Sequence, residues 1–188
     1  KRCAIHGEAL TWETHQFPWE MLGIPTELER QGIVSVGNTI YITTIANIST
    51  YYFMSYDVTS MEWTRLADMP LSVYGTEAVH HNGKIYVVGG YCSSVGNVVL
   101  LIYDIETNTW SRGKDLPIAR QNHGVALWDS KIYVMGNGSQ SKVVNVYDIE
   151  TDTWGAVPTN MPLKCDSCWG TAINGYLYVL PEEEGITM

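Results

Sequence analysis

Cysteine, phenylalanine and basic side chains are all scarce in this 188-residue chain, and each scarcity removes a class of answer. Four cysteines, Cys3, Cys92, Cys165 and Cys168, are too few for a disulfide scaffold at this length, so a reducing compartment and a cytoplasmic location are expected. Eleven Lys and Arg against twenty Asp and Glu leave a net charge of −9, which argues against nucleic acid as a partner and gently favours basic ones. Apolar stretches are short, the run from Val98 to Tyr103 being stopped by Asp104, so none approaches the ~18 residues of a membrane helix. The first residues, Lys1-Arg2-Cys3-Ala4-Ile5-His6, show no signal-peptide pattern, and the sequence does not begin with Met.

What is abundant points one way. Seven Trp and twelve Tyr against two Phe, with 17 Gly and seven Pro, describe short strands with large cross-sheet side chains separated by many turns. Self-comparison then finds a period. Trp19, Trp63, Trp110 and Trp154 are 44, 47 and 44 residues apart, and Tyr41, Tyr86, Tyr133 and Tyr178 are 45, 47 and 45 apart. Pro25, Pro70, Pro117 and Pro162 each precede their Tyr by 16 residues.

Three to four residues before each Tyr lies a turn signal: Gly37-Asn38, Asn82-Gly83, Asp129-Ser130 or Asn174-Gly175. Such pairs tolerate the positive φ of tight hairpins, so strands are expected on either side of each. Those are 33–36, 78–80, 125–128 and 170–173 before the turns, and 40–43, 85–88, 132–135 and 177–180 after them. Their nearly continuous apolar character suits strands covered on both faces. Two further strands follow in each unit, best seen in Tyr103-Asp104 to Trp110 and Tyr147-Asp148 to Trp154, more weakly in Tyr56-Asp57 to Trp63. The Asp should accept backbone donors in the turn between them, while Tyr and Trp fill the space between sheets.

A Gly pair after the second strand, Tyr-Asp before a turn, a Trp six or seven residues after that Tyr and a closing Met-Pro or Leu-Pro resemble the kelch repeat over roughly residues 19 to 180. Only Gly89-Gly90 is a full pair; Thr44-Ile45, Gly136-Asn137 and Pro181-Glu182 stand at the matching places and predict irregular exits from those strands. The resemblance implies an all-β propeller of about four blades' worth of four-stranded antiparallel sheets, a single domain over 1–188. Its blades would span about 26–70, 71–117 and 118–162, with a partial or shared blade from 1–25 plus 163–188. In the shared case Ala9 to Thr14 and Phe17 to Leu22 supply the last two strands and close a four-bladed ring. In the other, the chain is a portion of a larger propeller with missing blades, and a longer parent could carry an N-terminal dimerising domain.

The resemblance further implies a protein-interaction module that binds a partner protein or peptide on its loop rim, as the substrate-recognition part of a ubiquitin-ligase adaptor does. Actin-binding kelch proteins and kelch-like sugar oxidases or isomerases are the alternatives. No cofactor and no catalytic residue is expected, since no nucleophile elbow, phosphate loop or zinc-protease signature occurs and the His residues at 6, 15, 80, 81 and 123 are scattered.

On the rim, Arg120, Gln121, Asn122 and His123 form the densest polar group, with Arg120 placed where kelch adaptors present an arginine to acidic peptide. Tyr74, Tyr91, Ser93, Ser139 and Gln140 are further candidate contacts, because interface centres favour aromatics with polar handles. Cys165-x-x-Cys168 has the spacing of zinc and redox sites, but a single pair is a weak metal candidate and reads first as two unlinked loop or packing cysteines, with a disulfide, a metal site or a thiol sensor as the alternatives. His80-His81 ends a strand, where packing accounts for it.

Overall fold

Two-residue turns set the register of the molecule. In a computed structural model, which describes residues 2–4, 11–13, 32–47, 50–96, 98–136, 142–158, 160–162, 164–165 and 167–181, the dipeptides at 37–38, 82–83, 129–130 and 174–175 each close a hairpin. In the last three both residues have positive φ; in the first only Gly37 does. These are the primed turns whose twist matches antiparallel strands.

Sixteen strands result among the described residues, and no helix. A short hairpin pairs β1 (Arg2–Ala4) with β2 (Thr11–Glu13). The first four-stranded sheet is β3 (Ile33–Val36), β4 (Thr39–Asn47), β5 (Thr50–Asp57) and β6 (Glu62–Arg65). The second is β7 (Glu77–His81), β8 (Lys84–Val88), β9 (Leu100–Asp104) and β10 (Thr109–Arg112). The third is β11 (Gly124–Trp128), β12 (Lys131–Met135), β13 (Asn145–Asp148) and β14 (Thr153–Ala156). A two-stranded sheet, β15 (Cys168–Ile173) with β16 (Tyr176–Pro181), ends the array.

Each complete sheet is a simple antiparallel meander, which is the blade of a propeller. The first strands β3, β7, β11 and β15 pack against one another in sequence and line a cleft of about 430 Å³. Between the sheets lie three apolar layers. Tyr41, Phe53, Val73, Ile85, Leu101 and Tyr103 fill the first; Tyr86, Val88, Leu100, Ile132, Val134 and Tyr147 the second; Ala126, Met135, Val144, Cys165 and Cys168 the third.

The outer strands carry a staple that repeats. Trp110 Nε1 donates to the Ala67 carbonyl at 2.9 Å and Ala67 N–H to Asn108 Oδ1 at 2.9 Å, so the second blade grips both polar groups of one peptide-linked residue in the first. The third blade does the same to the second, through Trp154 Nε1 to Lys114 O at 2.8 Å and Lys114 N–H to Asp152 Oδ1 at 3.1 Å. Tyr103 and Tyr147 donate to those same Asn108 and Asp152 oxygens, both at 2.7 Å. The turn aspartates act as the sequence predicts: Asp57, Asp104 and Asp148 each accept backbone N–H bonds within their turns.

One expectation takes a particular form: where Thr44-Ile45 replaces the Gly pair and predicts an irregular exit, β4 and β5 instead go on pairing, past a register shift between Ile45 and Asn47, as far as Asn47↔Thr50. Among the described residues, β1–β2 and β15–β16 are each two-stranded sheets, with Arg2 opposite Glu13 in the first, and β2 falls within the 9–14 segment expected to be a strand. The 17–22 segment lies outside the described residues.

Candidate functional site

Propellers present their inter-strand loops on two rims, and one rim here is organised around a buried cation. Arg120 enters the loop before β11, but its side chain turns inward and is 0% exposed. Its guanidinium donates to the Gly136 carbonyl, to the Val143 carbonyl at 2.9 Å and to Asn145 Oδ1 at 2.6 Å. Its own carbonyl accepts from Gly90 N–H at 2.8 Å. One residue therefore ties the second blade's Gly-Gly exit to the end of β12 and the start of β13 in the third blade. Burial lowers the guanidinium to about 10, which the nearby Cys168 opposes, so Arg120 remains charged at neutral pH.

This corrects the expectation that Arg120 meets acidic peptide on the surface. A fully buried guanidinium whose two terminal nitrogens donate to two carbonyls and an amide inside a blade, with only its Nε–H unpartnered among the described residues, presents no donor to the surface. His123 is buried too, packed where a Cβ on Gly89 would lie 2.6 Å from its Cε1 and 2.8 Å from the Arg120 carbonyl. Gly89 and Gly90 both have positive φ, and their missing side chains admit the neighbouring loops.

The repeat itself holds the signal that sequence reading missed. Val73, Arg120 and Cys165 each precede their Tyr by 13 residues, as Thr76, His123 and Cys168 precede it by 10. All six are buried, so two inward positions carry apolar, cationic, hydroxyl, imidazole or thiol side chains by turns.

What remains on the rim is aromatic and polar. Tyr74 and Tyr91 form an antiparallel bridge, with N–H···O bonds of 3.2 and 2.7 Å, and their rings stand 5.0 Å apart. Tyr91 is 41% exposed and Tyr74 half-buried. Ser93 lies exposed in the turn beyond Tyr91. Asn122, exposed and at φ +53°, reaches Gly75 beside Tyr74, where a Cβ would be 3.4 Å from its Oδ1. Its carbonyl accepts from Cys168 N–H at 3.3 Å, anchoring it to β15. Gln121 is half-buried next to it. The structure thus gathers Tyr74, Tyr91 and Asn122, with Ser93 and Gln121 flanking them, and removes Arg120 and His123 to the interior. Ser139 and Gln140 lie outside the described residues.

Cys165 and Cys168 are buried thiols, neither in a disulfide, in the third apolar layer. Cys168 Sγ donates to the Met135 carbonyl and Cys165 Sγ to the Ser167 carbonyl, each at 3.3 Å. Among the described residues no three His, Cys, Asp or Glu side chains gather as a metal site would need. His80 and His81 sit half-buried on β7, where burial lowers His80 and His81 adds to the shift.

Comparison with known proteins agrees with the blades and their register. Residues 33–180 match the KLHDC2/KLHL20/DRC7 Kelch-repeats domain. Over 63 residues, 31% of this chain and 10% of each relative, the sequence is 30% identical to Kelch-like protein 41 of Mus musculus and of Rattus norvegicus. The match therefore spans about a tenth of those relatives' length. With meander blades, the repeated Tyr and Trp register and a family match over most of its length, the chain belongs to the kelch-repeat β-propeller family.

Proposed function

We propose that this chain is the recognition part of a protein-interaction module, and that the Tyr74–Tyr91 pair with Ser93, Gln121 and Asn122 receives an extended segment of a partner protein. The carrying observation is the tyrosine pair, Tyr91 exposed and Tyr74 half-buried, clamped by two main-chain bonds and set on loops that Arg120 ties from beneath. Rigid amphipathic rings with hydroxyl handles give contact area at small entropic cost, which is why such residues dominate interface centres. Kelch-repeat membership supports a protein partner rather than a small-molecule substrate.

The finer reading is a substrate-recognition role in a ubiquitin-ligase adaptor acting in the cytoplasm, where three buried thiols, none in a disulfide, would stay reduced. A copper- or sugar-enzyme reading would need Tyr and His side chains convergent on one point, whereas His123 is packed behind Gly89 and His80 lines the cleft between first strands.

The test is selection of a phage-displayed random peptide library on the immobilised chain, followed by binding of the selected peptides to Tyr91→Ala and Tyr74→Ala. The reading expects at least a tenfold loss with either variant, about the 1.4 kcal/mol that a central aromatic contact supplies. Selected peptides that bind both variants as well as the parent would place recognition elsewhere.

A further inference from the structure

Asn-Gly occurs at 82–83, 137–138 and 174–175. The second of these lies outside the described residues. The other two close hairpins with matching backbones, φ being +47° and +73° at Asn82 and Gly83 and +51° and +80° at Asn174 and Gly175. What precedes them differs: His80 and His81 stand before Asn82, whereas Ala172 and Ile173 hold the same two places before Asn174.

Both imidazoles reach the turn at 82–83. Gly83 N–H, beyond the last ladder pair His81↔Lys84, donates to His80 Nε2 at 3.2 Å. Asn82 Nδ2 lies 3.1 Å from His81 Nε2, and the Gly83 carbonyl accepts from Ile105 N–H at 3.0 Å. Asn82 and Gly83 are exposed to water, while the two histidines are half-buried. Burial, with His81 adding to it, lowers His80, so at neutral pH its Nε2 carries a lone pair and can take up a proton.

We propose that Asn82-Gly83 is a site of self-modification, at which His80 is the general base for closing a succinimide and the asparagine becomes aspartate or isoaspartate. Gly83 N bonds to Asn82 Cγ as its proton passes to His80 Nε2, a transfer within the reach of a catalytic base. The Cγ–Nδ2 bond then breaks, and that proton, carried across by water, leaves with the nitrogen as ammonia. One water molecule opens the ring at either carbonyl. The sum is one water consumed and one ammonia released, with no other reactant. His81, bonded to the carboxamide, is a positioning residue. Any backbone movement that brings Cγ onto the glycine nitrogen is demanded equally of both turns, since their φ values match. Either product adds one negative charge. Isoaspartate also lengthens the main chain by one carbon between His81 and Lys84, the pair that the turn holds in register.

The test is to age the full chain at neutral pH and follow each Asn-Gly by peptide mass spectrometry, with electron-transfer fragmentation separating isoaspartate from aspartate. Conversion at Asn82 is expected to run about tenfold faster than at Asn174, short of the roughly 10²–10⁴-fold of an ideally placed base. His80→Gln keeps a hydrogen-bond acceptor but has no imidazole to take up the proton, and should bring Asn82 down to the rate of Asn174. Asn174 in the same sample reports any general loosening of the fold. Imidazole added to the buffer should then restore more of the rate at Asn82 in His80→Gln than it adds at Asn174, a rescue that a purely structural role of His80 would not give. Equal conversion at Asn82 and Asn174 in the parent chain would overturn the proposal. So would a rate at Asn82 undiminished by His80→Gln.

Discussion

The junction between the second and third blades and the junction between the third blade and the last sheet follow one backbone path with different chemistry. At the first of these, Gly89 leaves room for the His123 ring and the Arg120 carbonyl; at the other, Gly136 leaves room for Cys168 Sγ, 2.5 Å from where a Cβ would sit, and the Cys165 carbonyl at 3.0 Å. The junction before them uses neither device: Thr43 and Thr76 hydroxyls meet at 3.3 Å and Gly32 N–H donates to Thr76 Oγ1. The repeat thus specifies a close approach of loops, and side chains are traded in size so that each approach is filled.

That comparison can be broken first at the glycines. Gly89→Ala meets both strain, at φ +61°, and a backbone carbonyl that cannot move aside, so a loss of about 3 kcal/mol is expected in urea unfolding. Gly96→Ala, at φ +78° with nothing within 4 Å, isolates the strain and should cost only about 1 kcal/mol. Equal losses would mean that crowding at the junction is unimportant. Next in size, Gly136→Ala should cost about 2 kcal/mol, part of it recovered when Cys168→Ala removes the colliding sulfur. His123→Ala should not rescue Gly89→Ala to the same extent, and a double-mutant cycle reads that difference.

The outer staples, by contrast, are alike at both places they occur. Trp110→Phe and Trp154→Phe each lose one indole bond to a linker carbonyl and should destabilise by about 1 kcal/mol apiece. A disparity much larger than a few tenths would show that the two junctions differ at the rim of the sheet as well as inside it.

The smallest expected effect is acid sensitivity. Lys84 and the Thr107 amide hold Asp104 at about 2 against a usual 3.8, and Lys131 with the Thr151 amide does the same for Asp148. Carboxyls depressed in the folded state favour it above pH 4, and that contribution disappears as pH falls from about 4 towards 2. Lys84→Ala should flatten the acid limb of the stability profile while leaving the neutral plateau nearly in place, because the pair stands largely open to solvent that screens it.

The blades were legible in the sequence because their determinants are local. Two-residue turns, an Asp that caps its own turn and the Tyr–Trp spacing each act within a dozen residues, and the strands formed where these marks placed them. The long β4–β5 hairpin was not, since its course depends on whether a chain without Gly-Gly can exit or must continue pairing. The rim was half legible. Tyr74, Tyr91 and Asn122 come together as loop residues would, but Arg120 was read by the habits of exposed arginines when its fate depends on carbonyls 16 to 25 residues away. Its repeat mates Val73 and Cys165, both apolar and both buried, were the available sign that the position faces inward.

The unfolding free energy of Arg120→Met compared with the parent chain tests the account most directly. If Arg120 is the internal tie beneath an aromatic recognition rim, losing it strands the Gly136 and Val143 carbonyls and the Asn145 amide, and stability falls by about 3–5 kcal/mol. A change below about 0.5 kcal/mol, accompanied by loss of binding to the selected peptides, would return Arg120 to the surface as a partner contact and contradict the account.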